Sequence, residues 1–174
     1  MATDDWGNAN LLIAQETQLD TPATIASLSF YVTQTSGQLR LGIYADNGGN
    51  PGALLAQTAA FTPGVGWNTR PVLAPAHLAP GTYWLAYLAQ RNNLHFRVAN
   101  SGAARGYGYT FGTLPATFST TPLAAEVHWS LYATLQPDIG AAAALSEDTS
   151  AERVNGGDSQ QDRHVFLPLV VQQP

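Results

Sequence analysis

Apolar and polar residues alternate along most of residues 11–135 with the period of two that sets one side of a strand in a core and the other against water. In residues 25–32, Leu28, Phe30 and Val32 alternate with Ser29 and Tyr31; in 39–44, Leu39, Leu41 and Ile43 share one face while Arg40 and Tyr44 take the other. Residues 82–88 (Thr-Tyr-Trp-Leu-Ala-Tyr-Leu) are rich in aromatic β-formers. Residues 11–15, 54–57, 67–69, 94–98 and 127–135 read as further strands, the last of them closing the main domain. Turn residues separate these runs. Gln34-Thr35-Ser36-Gly37 predicts a hairpin, and residues 46–52 (Asp-Asn-Gly-Gly-Asn-Pro-Gly) carry the strongest turn signal in the chain. Pro63-Gly64-Val65-Gly66, Pro80-Gly81 and Asn92-Asn93 mark others. Residues 101–124, rich in Gly, Thr and Pro, predict a long loop carrying Tyr107, Tyr109, Phe111 and Phe118. No stretch has a helical period of useful length; the nearest is the Ala-rich run at 140–145. The pattern predicts an all-β fold: an antiparallel β-sandwich or jelly roll of about eight or nine strands at roughly ten-residue spacing.

The pattern changes after residue 137. Residues 138–163 hold six of the chain's twelve acidic residues and no aromatic one, and read as a polar acidic linker. Residues 164–174 reverse that character. Val165, Phe166, Leu167, Pro168, Leu169, Val170 and Val171 form the most apolar run of the protein. Left in water, such a run is an aggregation site. In strand geometry Val165, Leu167, Leu169 and Val171 face one way, and burying them contributes on the order of 6–10 kcal/mol before entropy costs. Pro168 denies one side of that strand a ladder bond. The expected organisation is therefore a sandwich over 1–137, a linker over 138–163 and a C-terminal strand over 164–174. That strand either completes its own sheet or is donated to a neighbouring copy, as in head-to-tail assembly of a filament.

Composition narrows the setting. The 174-residue chain is long enough for one sandwich and a tail, and 45% hydrophobic residues supply a core. Only 11% of residues are charged, against roughly 25% in an average soluble domain, so Thr, Ser, Asn, Gln and Gly cover the surface. Lys is absent, the seven basic residues are all Arg, and the net charge is −5. No basic stripe forms, which argues against nucleic acid as a partner. Cys is absent and Met occurs only at position 1, so neither disulfides nor thiolate chemistry is available. No apolar segment approaches a membrane span, and residues 1–10 lack the features of a signal peptide. The composition suits an extracellular protein in mature form.

The ordered set Leu28-Ser29-Phe30-Tyr31-Val32, Gly37-Gln38-Leu39-Arg40-Leu41-Gly42-Ile43-Tyr44, Pro51-Gly52-Ala53-Leu54-Leu55-Ala56, Gly66-Trp67-Asn68-Thr69, Pro80-Gly81-Thr82-Tyr83-Trp84 and Ser130-Leu131-Tyr132-Ala133 resembles a recurrent module of secreted bacterial proteins, the choice-of-anchor-type extracellular domain. The resemblance spans roughly residues 8–136. It implies a β-sandwich on a surface protein and brings no catalytic motif. Phe166-Leu167-Pro168-Leu169-Val170 resembles a C-terminal ending of many such secreted proteins and is not a sorting signal of the LPxTG type.

Candidate chemistry is sparse. His77, His95, His128 and His164 show no metal-site spacing, and Glu16 and Glu126 are not spaced as an acid/base pair. The expectation is a protein that is not an enzyme and takes no cofactor. Asp46, Asn47 and Asn50 form an oxygen-rich loop, a weak calcium candidate with a single carboxylate; the same residues are what a tight turn needs. Sugar binding requires exposed rings beside polar groups. Trp67, Tyr107 and Tyr109, with Asn68 and Arg105, are the candidates; Gly106-Tyr107-Gly108-Tyr109 is the best stacking run, and Trp67 is expected at the end of the sandwich. Trp84 and Trp129, in mid-strand, are expected in the core. The leading functional expectation is an extracellular structural protein that self-assembles through residues 165–171; the alternative is a carbohydrate-binding or adhesive module that binds a surface glycan.

Overall fold

The computed structural model describes residues 3–137. The linker and the C-terminal run at 165–171 lie outside the described residues. Within them the chain is all-β and folds into two antiparallel sheets, as expected for a sandwich. The first sheet joins β1 (Thr3–Trp6), β3 (Ala23–Gln34), β6 (Gly66–Leu78), β8 (His95–Ala99), β11 (His128–Trp129) and β12 (Leu131–Pro137). The central strand β3 pairs with β6 along one edge, and with β12 and then β8 along the other; β1 closes the far side of β8. The second sheet joins β2 (Leu11–Leu19), β4 (Leu39–Asp46), β5 (Pro51–Gln57), β7 (Gly81–Ala89), β9 (Ala104–Gly108) and β10 (Leu123–Ala125), in the order β10-β9-β2-β7-β4-β5.

Inward residues of both sheets meet in one core. Leu28, Phe30 and Val32 from β3 face Leu41, Ile43, Leu85 and Tyr87 from β4 and β7. Phe30, Tyr87 and Phe96 contact one another at centroid separations of 4.8–5.9 Å, with Phe96 edge-on to both others. The alternation read in β3 and β4 thus gives the right inward faces.

The second sheet is apolar on its other face too. Leu12, Ala14, Tyr44, Trp84, Ala86 and Leu88 point away from the main core and are buried under residues 109–122, through Leu114 and Phe118. This segment is a cover, not a free loop. It is stitched down at the β5 edge, where Leu54 N donates to Ala116 O (2.8 Å) and Phe118 N to Gly52 O (2.9 Å), and Tyr44 Oη donates to Pro115 O (3.1 Å). Gly42 leaves room for it: a Cβ there would stand 2.4 Å from Leu114 Cδ1. The Tyr44 phenol is pushed far above its usual range, chiefly by burial.

Several other expectations change. Residues 34–37 do not form a hairpin, because β3 and β4 lie in different sheets and this link crosses the sandwich. The run at 127–135 breaks at Ser130 into β11, on β8, and β12, on β3. Residues 104–108 and 123–125, read as loop, pair as β9 and β10. Short strands of this kind, with β1, bring the described total to twelve.

One polar network ties the sheets together. Gln15, on β2, is buried and accepts a hydrogen bond from Trp129 N through Oε1 (2.8 Å). That bond fixes the amide, so Nε2 donates to His128 Nε2 (3.1 Å) and to Leu131 O (3.4 Å). His128 must therefore accept at Nε2 and be neutral, and burial lowers its pKa below 6.5. With the folded pKa below the unfolded one, the unfolded chain takes up the proton first as pH falls. Stability is full above about pH 6.5 and declines below it. Thermal melting from pH 8 to pH 5 is expected to show that decline, and H128N is expected to flatten it.

Candidate functional site

The first sheet has no cover on its outer face among the described residues, and two tryptophan rings stand exposed on that face. Alternation sends Ser29 and Tyr31 of β3, Trp67 and Thr69 of β6, and Tyr132 and Thr134 of β12 outward. The register sets Tyr31 opposite Trp67, Ser29 opposite both Thr69 and Tyr132. Trp67 and Tyr132 sit on strands separated by β3 and are staggered by two residues, about 12 Å apart at the backbone, yet their rings approach to 4.8 Å. The two side chains therefore meet over β3. Ser29 lies beneath this group: although on the outer face it is fully buried, its hydroxyl bonded to Thr69 Oγ1 at 2.8 Å. Tyr31 and Tyr132 stand edge-on to the indole, at interplanar angles of 73° and 65°. Trp67 is thus packed between two tyrosines and still 52% exposed. A half-exposed aromatic ring held between neighbours in this way offers a stacking surface.

A second ring lies on the same face. Trp6, on β1, is opposite His95 on β8, and the two rings stack at 5.6 Å with 24° between planes. Trp6 is 63% exposed. Between the two ring sites lie Thr33, Asp4 and Arg97. Thr33 Oγ1 donates to the Asp4 carboxylate, and His95 Nδ1 contacts it at 3.2 Å. These two bonds hold the Asp4 carboxyl below its usual range, and Arg97, directly across the β1–β8 pair, adds to the effect.

The other sequence candidates take different positions. Asn68 is buried and structural: its Oδ1 accepts from Gly64 N (2.7 Å), and its Nδ2 donates to Gly64 O (2.8 Å) and Gly66 O (2.9 Å). It thereby shapes the turn that presents Trp67, which lies on the open sheet face and not at the sandwich end. Tyr107 lies on β9 and packs on Phe118 at 4.9 Å; Tyr109 follows it, its hydroxyl donating to Thr113 O. Both rings pack against the cluster between the second sheet and its cover. Arg105 stacks over Trp84 (5.3 Å) and donates to Asn50 Oδ1 (2.8 Å) and Gly49 O (3.2 Å). The turn at 46–50 is closed from within, since Asp46 accepts from Gly49 N (3.1 Å) and Trp84 Nε1 (2.8 Å). The side-chain oxygens of Asp46 and Asn50 are thus occupied by donors, with a guanidinium alongside. Among the described residues, no three His, Asp or Glu side chains gather as a metal site. Trp84 and Trp129 are buried, as expected from their mid-strand positions.

Sequence reasoning missed Tyr31 and Tyr132 as partners of Trp67. Each occupies a polar-side position in an alternating strand, and only the register joins them.

No family model, curated protein or solved structure matches this chain.

Substituting Asn68 by Ala is expected to cost about 1–3 kcal/mol of stability, since it strips partners from three backbone groups of the turn. A urea unfolding series measures this; an unchanged midpoint would show that Asn68 is not what holds the turn.

Proposed function

We propose that this chain is an extracellular, non-catalytic β-sandwich module that binds carbohydrate on the outer face of its first sheet. The observation that carries this reading is the half-exposed Trp67 indole, held between Tyr31 and Tyr132 on the open sheet face. A pyranose ring has a face of C–H groups and a rim of hydroxyls. The C–H face fits a preorganised indole. The rim meets the neutral hydroxyl side chains that flank the indole. Low charge, absence of Cys and the resemblance to secreted surface modules all support an extracellular setting. On a glycan array, the full chain is expected to retain sugar ligands and W67A to lose at least tenfold in affinity, about 1.4 kcal/mol, with melting temperature little changed. Equal binding by W67A and wild type, or no glycan retained, would overturn the proposal.

A second reading concerns assembly. Among the described residues β12 is paired on one edge only, by β3, and the chain runs on from β12 toward residues 165–171. An apolar segment added to that edge extends the sheet by β-augmentation. The linker of 26 residues reaches up to about 85 Å, enough for an edge of this copy or of a neighbour. Size-exclusion chromatography and negative-stain microscopy of the full chain and of a form ending at Pro137 test it. Oligomers or filaments lost on truncation support donation; a monomeric full chain rules it out.

A further inference from the structure

Resting on that carbohydrate reading, we infer that the outer face of the first sheet holds one extended, neutral, equatorially linked polysaccharide chain at two stations, Trp67 and Trp6.

The two indoles lie on opposite edges of one sheet. From β6 to β1 the path crosses β3 and β8, three steps of about 4.8 Å. Along the strands, Tyr31 marks the row of Trp67 and Gln34 pairs with His95, opposite Trp6. That offset is three residues, about 10 Å. The diagonal of roughly 17 Å is longer than one sugar ring and matches a short oligosaccharide. A chain with equatorial linkages is a flat ribbon that presents C–H faces in succession, and so can lie on both rings. Chains with axial linkages coil and leave the second ring unused.

The strip between the stations defines the charge of the occupant. Asp4 is already satisfied by Thr33 and His95 and faces Arg97. The charges on this strip compensate each other in place, so an anionic polymer gains no free cation and a cationic one no free carboxylate. A neutral chain breaks no charge pairing here, and its hydroxyls meet a polar strip. Trp6 is also prepared for its role, since its stack on His95 fixes one indole face and leaves the ring 63% exposed.

Two stations on one chain multiply affinity through effective concentration, so length is the diagnostic variable. Isothermal titration of the full chain with β-1,4-linked gluco-, xylo- and manno-oligosaccharides of increasing length is the test. Wild type is expected to bind tighter by roughly tenfold or more once the oligosaccharide spans both rings. W6A is expected to bind short oligosaccharides as wild type does and to lose the gain with length, with W6F restoring part of it. W67A is expected to weaken every length. If W6A keeps the full gain, the second station is wrong while the carbohydrate reading stands. If amylose or an anionic polysaccharide binds tighter than the β-1,4 series, the neutral ribbon is wrong. If no sugar binds, both this inference and the reading beneath it fail.

Discussion

The double apolar character of the second sheet is the constraint on which the rest of the structure depends. Strand β7 carries Trp84, Ala86 and Leu88 on one side and Leu85, Tyr87 and Ala89 on the other, and all six are buried. A strand of that kind requires a layer on each face. The first sheet supplies one. The other is improvised from residues 109–122, which have little secondary structure and succeed through two anchors, Leu114 and Phe118, and several backbone bonds to β5 and its neighbours. The space vacated at Gly42 and the Arg105 stack on Trp84 belong to the same solution. Without disulfides, the sandwich is held by these two layers of packing.

That arrangement leaves the first sheet as the open one. Its outward positions hold hydroxyls, a compensated charge cluster and rings set singly or in braced groups, not a continuous apolar field. Such a surface is compatible with water when empty and has rigid, desolvated contacts to offer a partner of mixed polarity. The division is physical: one sheet commits its outer face to stability, and the other leaves its own open.

Much of the fold was legible because strong alternation survives in β3 and β4, and because the turn at 46–52 has chemistry that admits little else. The hairpin expected at 34–37 failed for a general reason. Ser and Gly mark a change of direction, but they do not say whether the next strand pairs with the last or crosses to the opposite sheet. The cover at 109–122 was hidden because its composition is that of a loop. The signal lay elsewhere, in the unbroken apolar run of β7, which already demanded a third layer. Residues Pro71 and Pro75 disguised the length of β6, an edge strand where proline is tolerated. The aromatic site was half legible: Trp67 stood out, whereas Tyr31 and Tyr132, some hundred positions apart, are joined only by β3 lying between β6 and β12.

The four tryptophans divide evenly between these environments. Trp84 and Trp129 are buried, while Trp6 and Trp67 stand on the open face. The protein therefore carries two built-in optical reporters. Blue-shifted emission that resists a water-borne quencher comes from the packed interior, and red-shifted, quenchable emission comes from the open face. Occupancy of that face and integrity of the core are thus separable in an unlabelled sample by fluorescence alone.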